Sequence, residues 1–231
     1  MTGLVRQLAL DLGLAAPPSL SNFVPGHNRS AWDHLVQACT QLGRGAMPTY
    51  LWGPAGSGKT HLLAAVRQAF LDAGETVGWA DPARDLTSFD ERWSVLLLDD
   101  CHRYSPRQQA MAFHWFVQAL APVDGVTRWV LAAGDAPPTD LPLRDDLRSR
   151  LGWGHVFQLQ PLSEAERRAV LRQAADGRGL ALSDELLDYL LRRFPRDLAS
   201  LMALVDQLDS YALQTRRAPT IPLVKAMLES E

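Results

Sequence analysis

A chain that reads TYLWGPAGSGKTHLLAAV from position 49 has little freedom in what it can become. TYLWG at 49–53 has the character of a short buried strand, and it runs into GPAGSGKT at 53–60, which fits the spacing G-x-x-x-x-G-K-[ST]. An apolar helical stripe over 60–73 follows, with Leu62, Leu63, Val66 and Phe70. A glycine-rich turn between strand and helix lets successive backbone N–H groups converge on a phosphate, and the positive end of the helix faces the same anion. Pro54, Ala55, Gly56, Ser57, Gly58, Lys59, Thr60 and His61 are therefore the expected nucleotide contacts. Lys59 is expected to reach the β- and γ-phosphates as a point charge, and Thr60 to hold Mg²⁺ through its hydroxyl. Lysine occurs only at 59 and 225 in a chain whose other basic residues are arginine, which singles out position 59.

Further strands are expected at VGWA 77–80, VLLLD 95–99, RWVLAAG 128–134 and HVFQL 155–159, with helices at 105–121 and in SNFVPGHNRSAWDHLVQACTQL, where Asn28 or Ser30 would provide the cap. VLLL is a continuous apolar run of strand length, as in a parallel strand covered on both faces. Strands alternating with helices predict an α/β fold with a parallel sheet. An acidic residue at the end of the strand beside the phosphate strand organises magnesium and its waters, a role expected of Asp99; Asp100 would orient an attacking water.

From 162 onward only amphipathic helices are expected, beginning with a capping box of Ser163 and Glu166, so a small all-helical lid domain follows the sheet. The expected organisation is a leader and linker at 1–19, a nucleotide-binding domain at 20–160 and a lid at 161–231. With 47% hydrophobic residues there is enough apolar surface for a sizeable core. A net charge of −3 offers no global attraction to nucleic acid or to an anionic membrane, so any DNA role is expected to be indirect. The two cysteines, Cys39 and Cys101, suggest neither a disulfide framework nor a zinc pair, and the six histidines have no ligand spacing. With no signal-peptide pattern and no long apolar run, the expected location is the cytoplasm.

RSRLGWG at 148–154, after RWVLAAGDAPP and ahead of the helical region, resembles the bacterial initiator DnaA and its relatives among the AAA+ ATPases. The resemblance extends across most of the chain. It implies an AAA+ P-loop sheet with a lid, puts Val24 and Asn28 of NFVPGHNRSAW near the adenine, and puts Gly134-Asp135 at the sensor 1 position. It maps Arg196 of FPRDLASLMALVDQL onto the sensor 2 arginine and Arg150, in a short loop before the last strand, onto the arginine finger. A planar guanidinium suits stabilisation of a transferring phosphoryl group, a role worth roughly 10³–10⁵ in rate. DnaA continues into a basic helix-turn-helix domain, whereas the region 162–231 nearly balances basic and acidic residues and is not expected to read DNA.

The leader RQLALDLGLAAPPS places leucines at 8, 10, 12 and 14 ahead of a proline break. An alternating extended peptide suits capture by a partner through backbone pairing and alternate side-chain pockets, and it would also serve as an edge strand of the chain's own sheet. QLALDL at 7–12 resembles the motif by which bacterial replication proteins dock on the β sliding clamp, with Gln7 in a polar pocket and Leu8, Leu10 and Leu12 in an apolar groove. A DnaA-like module behind such a peptide is similar to the family of DnaA regulatory inactivators (Hda). That family implies a clamp platform, contact with DnaA and accelerated hydrolysis of DnaA-bound ATP. It also implies Arg150 acting in trans, ADP or ATP with Mg²⁺ as ligands, and a possible homo-oligomer. Two other functions fit the same residues: a self-sufficient AAA+ ATPase of helicase-loader type, and a transposition or repair helper that binds duplex directly.

Overall fold

Period-2 alternation sorts the apolar strands between two helix layers. The computed structural model describes residues 17–42, 47–122, 125–194 and 198–229, which divide into two compact units, Pro17–Leu162 and the residues from Ser163 on. In the first unit, strands β1 (Thr49–Trp52), β2 (Thr76–Ala80), β3 (Trp93–Leu98), β4 (Trp129–Gly134) and β5 (His155–Gln158) form one sheet in the order β2-β3-β4-β1-β5. All four pairings are parallel. The sheet is that of an AAA+ P-loop fold, with the phosphate strand β1 between β4 and β5. The crevice at the carboxyl ends of such strands is where α/β sheets bind ligands.

Leu96 and Leu98 of β3 join Val130 and Ala132 of β4 in one cluster, with Trp115 and Phe116 of α3 (Pro106–Leu120) and Leu147 and Leu151 of α4 (Asp145–Leu151). Val95, Leu97, Trp129 and Leu131 point the other way. They pack with Leu35 of α1 (Arg29–Thr40) and with Leu62, Val66 and Phe70 of α2 (Lys59–Asp72). Both clusters are sealed from water, which is why VLLL reads as unbroken apolar sequence. Ser105 caps α3 through a reciprocal capping box with Gln108, and Pro106 sits in the first turn, where its missing N–H costs nothing.

Two local expectations change. Asn28 precedes α1 but its side chain makes no capping bond, because the amide is engaged elsewhere. Arg150 lies in the last turn of α4, not in a loop: Asp145 and Asp146 in the first turn and arginines in the last complement the helix dipole, and buried Leu147 and Leu151 anchor the turn.

In the second unit the expected capping box of Ser163 and Glu166 opens α5 (Glu164–Asp176). Ser183 caps α6 (Asp184–Arg193) by accepting from Leu186 N at 3.2 Å. With α7 (Leu198–Thr215) and α8 (Ile221–Glu229) they enclose a core that includes Leu171, Leu187, Leu190, Leu201, Val205 and Val224. Pro222 stands in the first turn of α8, where helices accept proline. Among the described residues no helix is long and apolar enough to cross a membrane.

Candidate nucleotide site

Three strand ends converge on the site. Gly53 follows β1, and a Cβ there would stand 2.2 Å from the Leu159 carbonyl oxygen, so only glycine lets the loop start this close to the chain leaving β5. Gly58 caps α2 at φ +94°, and a Cβ on it would stand 2.8 Å from the Phe23 ring. Pro54, Ala55, Gly56 and Thr60 are exposed on the loop, while Ser57 and Lys59 are buried. Lys59 Nζ donates to the Gly53 and Pro54 carbonyls at 2.7 and 2.9 Å. Burial lowers its pKa from the ordinary lysine range, and Asp100, Asp99 and Asp135 act in the opposite direction.

Asp99 follows β3 and is 6% exposed. Its Oδ1 accepts from Thr60 Oγ1 at 3.3 Å and from the Asp100 N–H at 3.0 Å. Burial raises the pKa of this carboxyl, opposed first by the Thr60 hydrogen bond. Asp100 adopts a left-handed backbone, φ 46° and ψ 40°, at the start of a 3₁₀ turn over Cys101–Arg103, and Arg103 pairs with its carboxylate at 3.4 Å. Asp135 follows β4; His102 Nε2 lies 3.7 Å from its carboxylate, while His102 Nδ1 is buried without a hydrogen-bond partner among the described residues.

These residues fit a nucleoside phosphate with magnesium. Ser57 Oγ is buried inside the loop with no hydrogen-bond partner among the described residues, the kind of donor a phosphate oxygen would use. Among the described residues no group of three or more His, Cys, Asp or Glu could hold a metal ion. Thr60 and Asp99 alone suit Mg²⁺, which keeps several waters and takes its other ligands from phosphates.

The segment ahead of α1 lies over this site. Phe23 is beside Gly58 and meets the His61 ring at 5.6 Å between centroids. His61 Nε2 is 3.1 Å from Asn22 Oδ1 and 3.4 Å from the Ser19 carbonyl; burial lowers its pKa and the Ser19 bond opposes that. Val24 is half-buried next to Phe23. Asn28, 3% exposed, donates through Nδ2 to Gln160 O at 2.9 Å and accepts from Gln160 N at 2.8 Å. Both functions of its amide therefore join the segment before α1 to the chain leaving β5.

Arg150 is separate from this group. Its guanidinium lies 5.0 Å from the Phe113 ring centroid and 4.6 Å from that of Trp153, on the helices of the sheet face opposite α2. Arg196 and the leader residues Gln7, Leu8, Leu10 and Leu12 lie outside the described residues. Sequence reasoning passed over Phe23, Phe113 and His102. Phe23 had a usable signal, an aromatic inside the NFVPGHNRSAW segment whose Val24 and Asn28 were assigned to the adenine; Phe113 looked like any apolar helix residue.

The lid-domain model of the Hda family matches residues 164–228. Over 92% of this chain and 95% of the other, the fold is similar to domain III of the replication initiation protein DnaA from Thermotoga maritima, with 20% identity and a TM-score of 0.71. The AMPPCP-bound DnaA of Aquifex aeolicus matches with 23% identity and a TM-score of 0.67, covering 85% of this chain and 66% of that one. The Holliday junction branch migration motor RuvB of Thermotoga maritima matches with 17% identity and a TM-score of 0.66, over 93% and 72%.

Proposed function

Because the chain is a DnaA-related AAA+ protein of the Hda type, we propose that it regulates replication initiation by promoting hydrolysis of the ATP bound to DnaA while docked on the β sliding clamp. The observation that carries this reading is the state of Arg150. Among the described residues its guanidinium has no carboxylate partner, and it stands with the helices of the face opposite the one that presents Lys59. A free guanidinium away from the chain's own phosphate loop is suited to a nucleotide held by another chain, where it would stabilise charge on the transferring phosphoryl group.

The chain's own nucleotide then serves to hold the body together. Lys59 and Ser57 would take the phosphates, Thr60 and Asp99 the magnesium, Phe23, Val24 and His61 would flank the nucleotide, and the resemblance to DnaA assigns the sensor 2 role to Arg196. Bound Mg²⁺ would neutralise phosphate charge. The resident ligand in this reading is ADP or ATP. Docking falls to Gln7, Leu8, Leu10 and Leu12, contact with DNA comes only through the partners, and the compartment is the cytoplasm.

A second reading is favoured by the Asp99–Asp100 pair: an ATPase that assembles with its own copies, each Arg150 serving the next Lys59. The two are separated by measuring hydrolysis of DnaA-bound ATP with DNA-loaded clamp, with and without this protein. The proposal expects acceleration that disappears when residues 1–14 are removed, and little turnover by the protein alone. Turnover that rises with the protein's own concentration, with DnaA unaffected, overturns it.

A further inference from the structure

Three arginines stand on or beside α4, and two are neutralised locally. Arg144 pairs with Asp146 at 2.7 Å and Arg148 with Asp145 at 2.5 Å. Arg150 has no carboxylate among the described residues; its guanidinium lies against the two rings, both inside the range at which a cation is attracted to an aromatic face. The second ring is held there by the backbone. After α4 the chain turns sharply, with Gly152 N donating to Ser149 O at 3.2 Å and Trp153 N to Arg150 O at 3.1 Å. Gly154 then presses on Pro48, where a Cβ would stand 1.8 Å from the carbonyl oxygen, and His155 N donates to that same oxygen at 2.9 Å. Trp153 is thus fixed between the end of α4 and the start of β5, yet 56% exposed, a costly place for the largest apolar side chain unless its ring has work there. Phe113, on α3, is half-buried against the core and carries the Arg144 guanidinium at 5.2 Å as well.

We propose that Phe113 and Trp153 are positioning residues that hold the Arg150 guanidinium between them, charged and free of carboxylates, in the orientation in which it meets the partner's nucleotide. The inference rests on the reading of Arg150 as the group lent to DnaA-bound ATP. A carboxylate would fix the guanidinium equally well but would cancel the charge it offers; aromatic faces restrain it and leave its N–H donors available for phosphate. Orientation settled before encounter is not charged against the transition state. Arginine is required, because a lysine ammonium does not stack as a plane on either ring.

The test is stimulated hydrolysis of DnaA-bound ATP with DNA-loaded clamp, measured as a function of this protein's concentration so that the maximal rate and the half-saturating concentration separate. Trp153→Ala is expected to lower the maximal rate about threefold, and Trp153→Ala with Phe113→Leu about tenfold, with the half-saturating concentration unchanged. Phe113→Leu keeps apolar volume at the core's edge, and a melting curve for each variant verifies the fold. Trp153→Phe is expected to restore the rate, a rescue that loss of packing alone would not give. If the double variant keeps the full rate while Arg150→Ala loses it, the positioning role is overturned and the finger reading stands. If Trp153→Ala changes only the half-saturating concentration, or Trp153→Phe fails to rescue, Trp153 is a contact surface and the proposal is overturned. Undiminished stimulation by Arg150→Ala overturns both.

Discussion

The phosphate loop and the Arg150 corner are built in opposite ways. Around the loop, charges are taken inside and answered: Lys59 is 7% exposed with two carbonyl partners, and Asp99 is bonded to Thr60 and to the backbone. At the corner the charge stays half-exposed, touched by rings and, among the described residues, by no carboxylate. Buried, answered charges retain a ligand, whereas an unanswered one at the surface is available to someone else's ligand. Under the proposed function, the difference separates a site suited to hold a ligand from one suited to lend a charge.

The largest effect should fall on the lending side alone. Arg150→Ala is expected to reduce stimulated hydrolysis of DnaA-bound ATP by roughly 10³-fold while leaving retention of the protein's own nucleotide intact in equilibrium dialysis. Replacing Gln7, Leu10 and Leu12 together by alanine should weaken capture by immobilised clamp by about a hundredfold or more and leave both regions untouched, since burial of each leucine is worth about 1.5–3 kcal/mol. Lys59→Ala is the mirror of the Arg150 variant: own-nucleotide affinity should fall about 10- to 100-fold through loss of a charge-assisted phosphate contact. Loss of stimulation in Lys59→Ala without loss of nucleotide would break the separation between the two sites.

Smaller effects probe the frame behind the holding site. Asn28→Ala leaves both backbone groups of Gln160 without their partner and should cost about 1–3 kcal/mol of stability, read from urea unfolding. His34 packs against His155 at 4.5 Å between ring centroids and meets Thr49 Oγ1 at 2.9 Å; burial and then His155 lower its pKa, and burial lowers that of His61. The folded state therefore prefers both rings neutral. The unfolded chain binds more protons once pH falls below the ordinary histidine value, so this contribution is present above that value and lost as pH drops through the lower folded one. Melting temperature should decline from about pH 7.5 to about pH 5.5, and His34→Gln should flatten the decline.

What was legible in the sequence followed the distance over which its causes act. The glycine-rich turn between β1 and α2 was readable because loop chemistry is local, and the parallel sheet because VLLL and RWVLAAG carry their two-sided burial in their own composition. The capping box at Ser163 is a four-residue pattern and emerged where expected. Asn28 did not: it looked like a cap because caps are local, but its partner Gln160 lies 132 positions away. The corner was legible only in part. RSRLGWG marked Arg150 and contained Trp153, yet the third member of the stack, Phe113, comes from another helix, and α4 is too short for periodicity to reveal it.

The most direct measurement follows a labelled γ-phosphate. DnaA loaded with labelled ATP is mixed with this protein carrying unlabelled ADP on DNA-loaded clamp, and in a parallel reaction the label is placed on this protein instead. The account predicts rapid release of labelled phosphate from DnaA, dependent on Arg150, and slow release from the protein itself. Release from the protein's own site, with the DnaA-bound label intact, would contradict it.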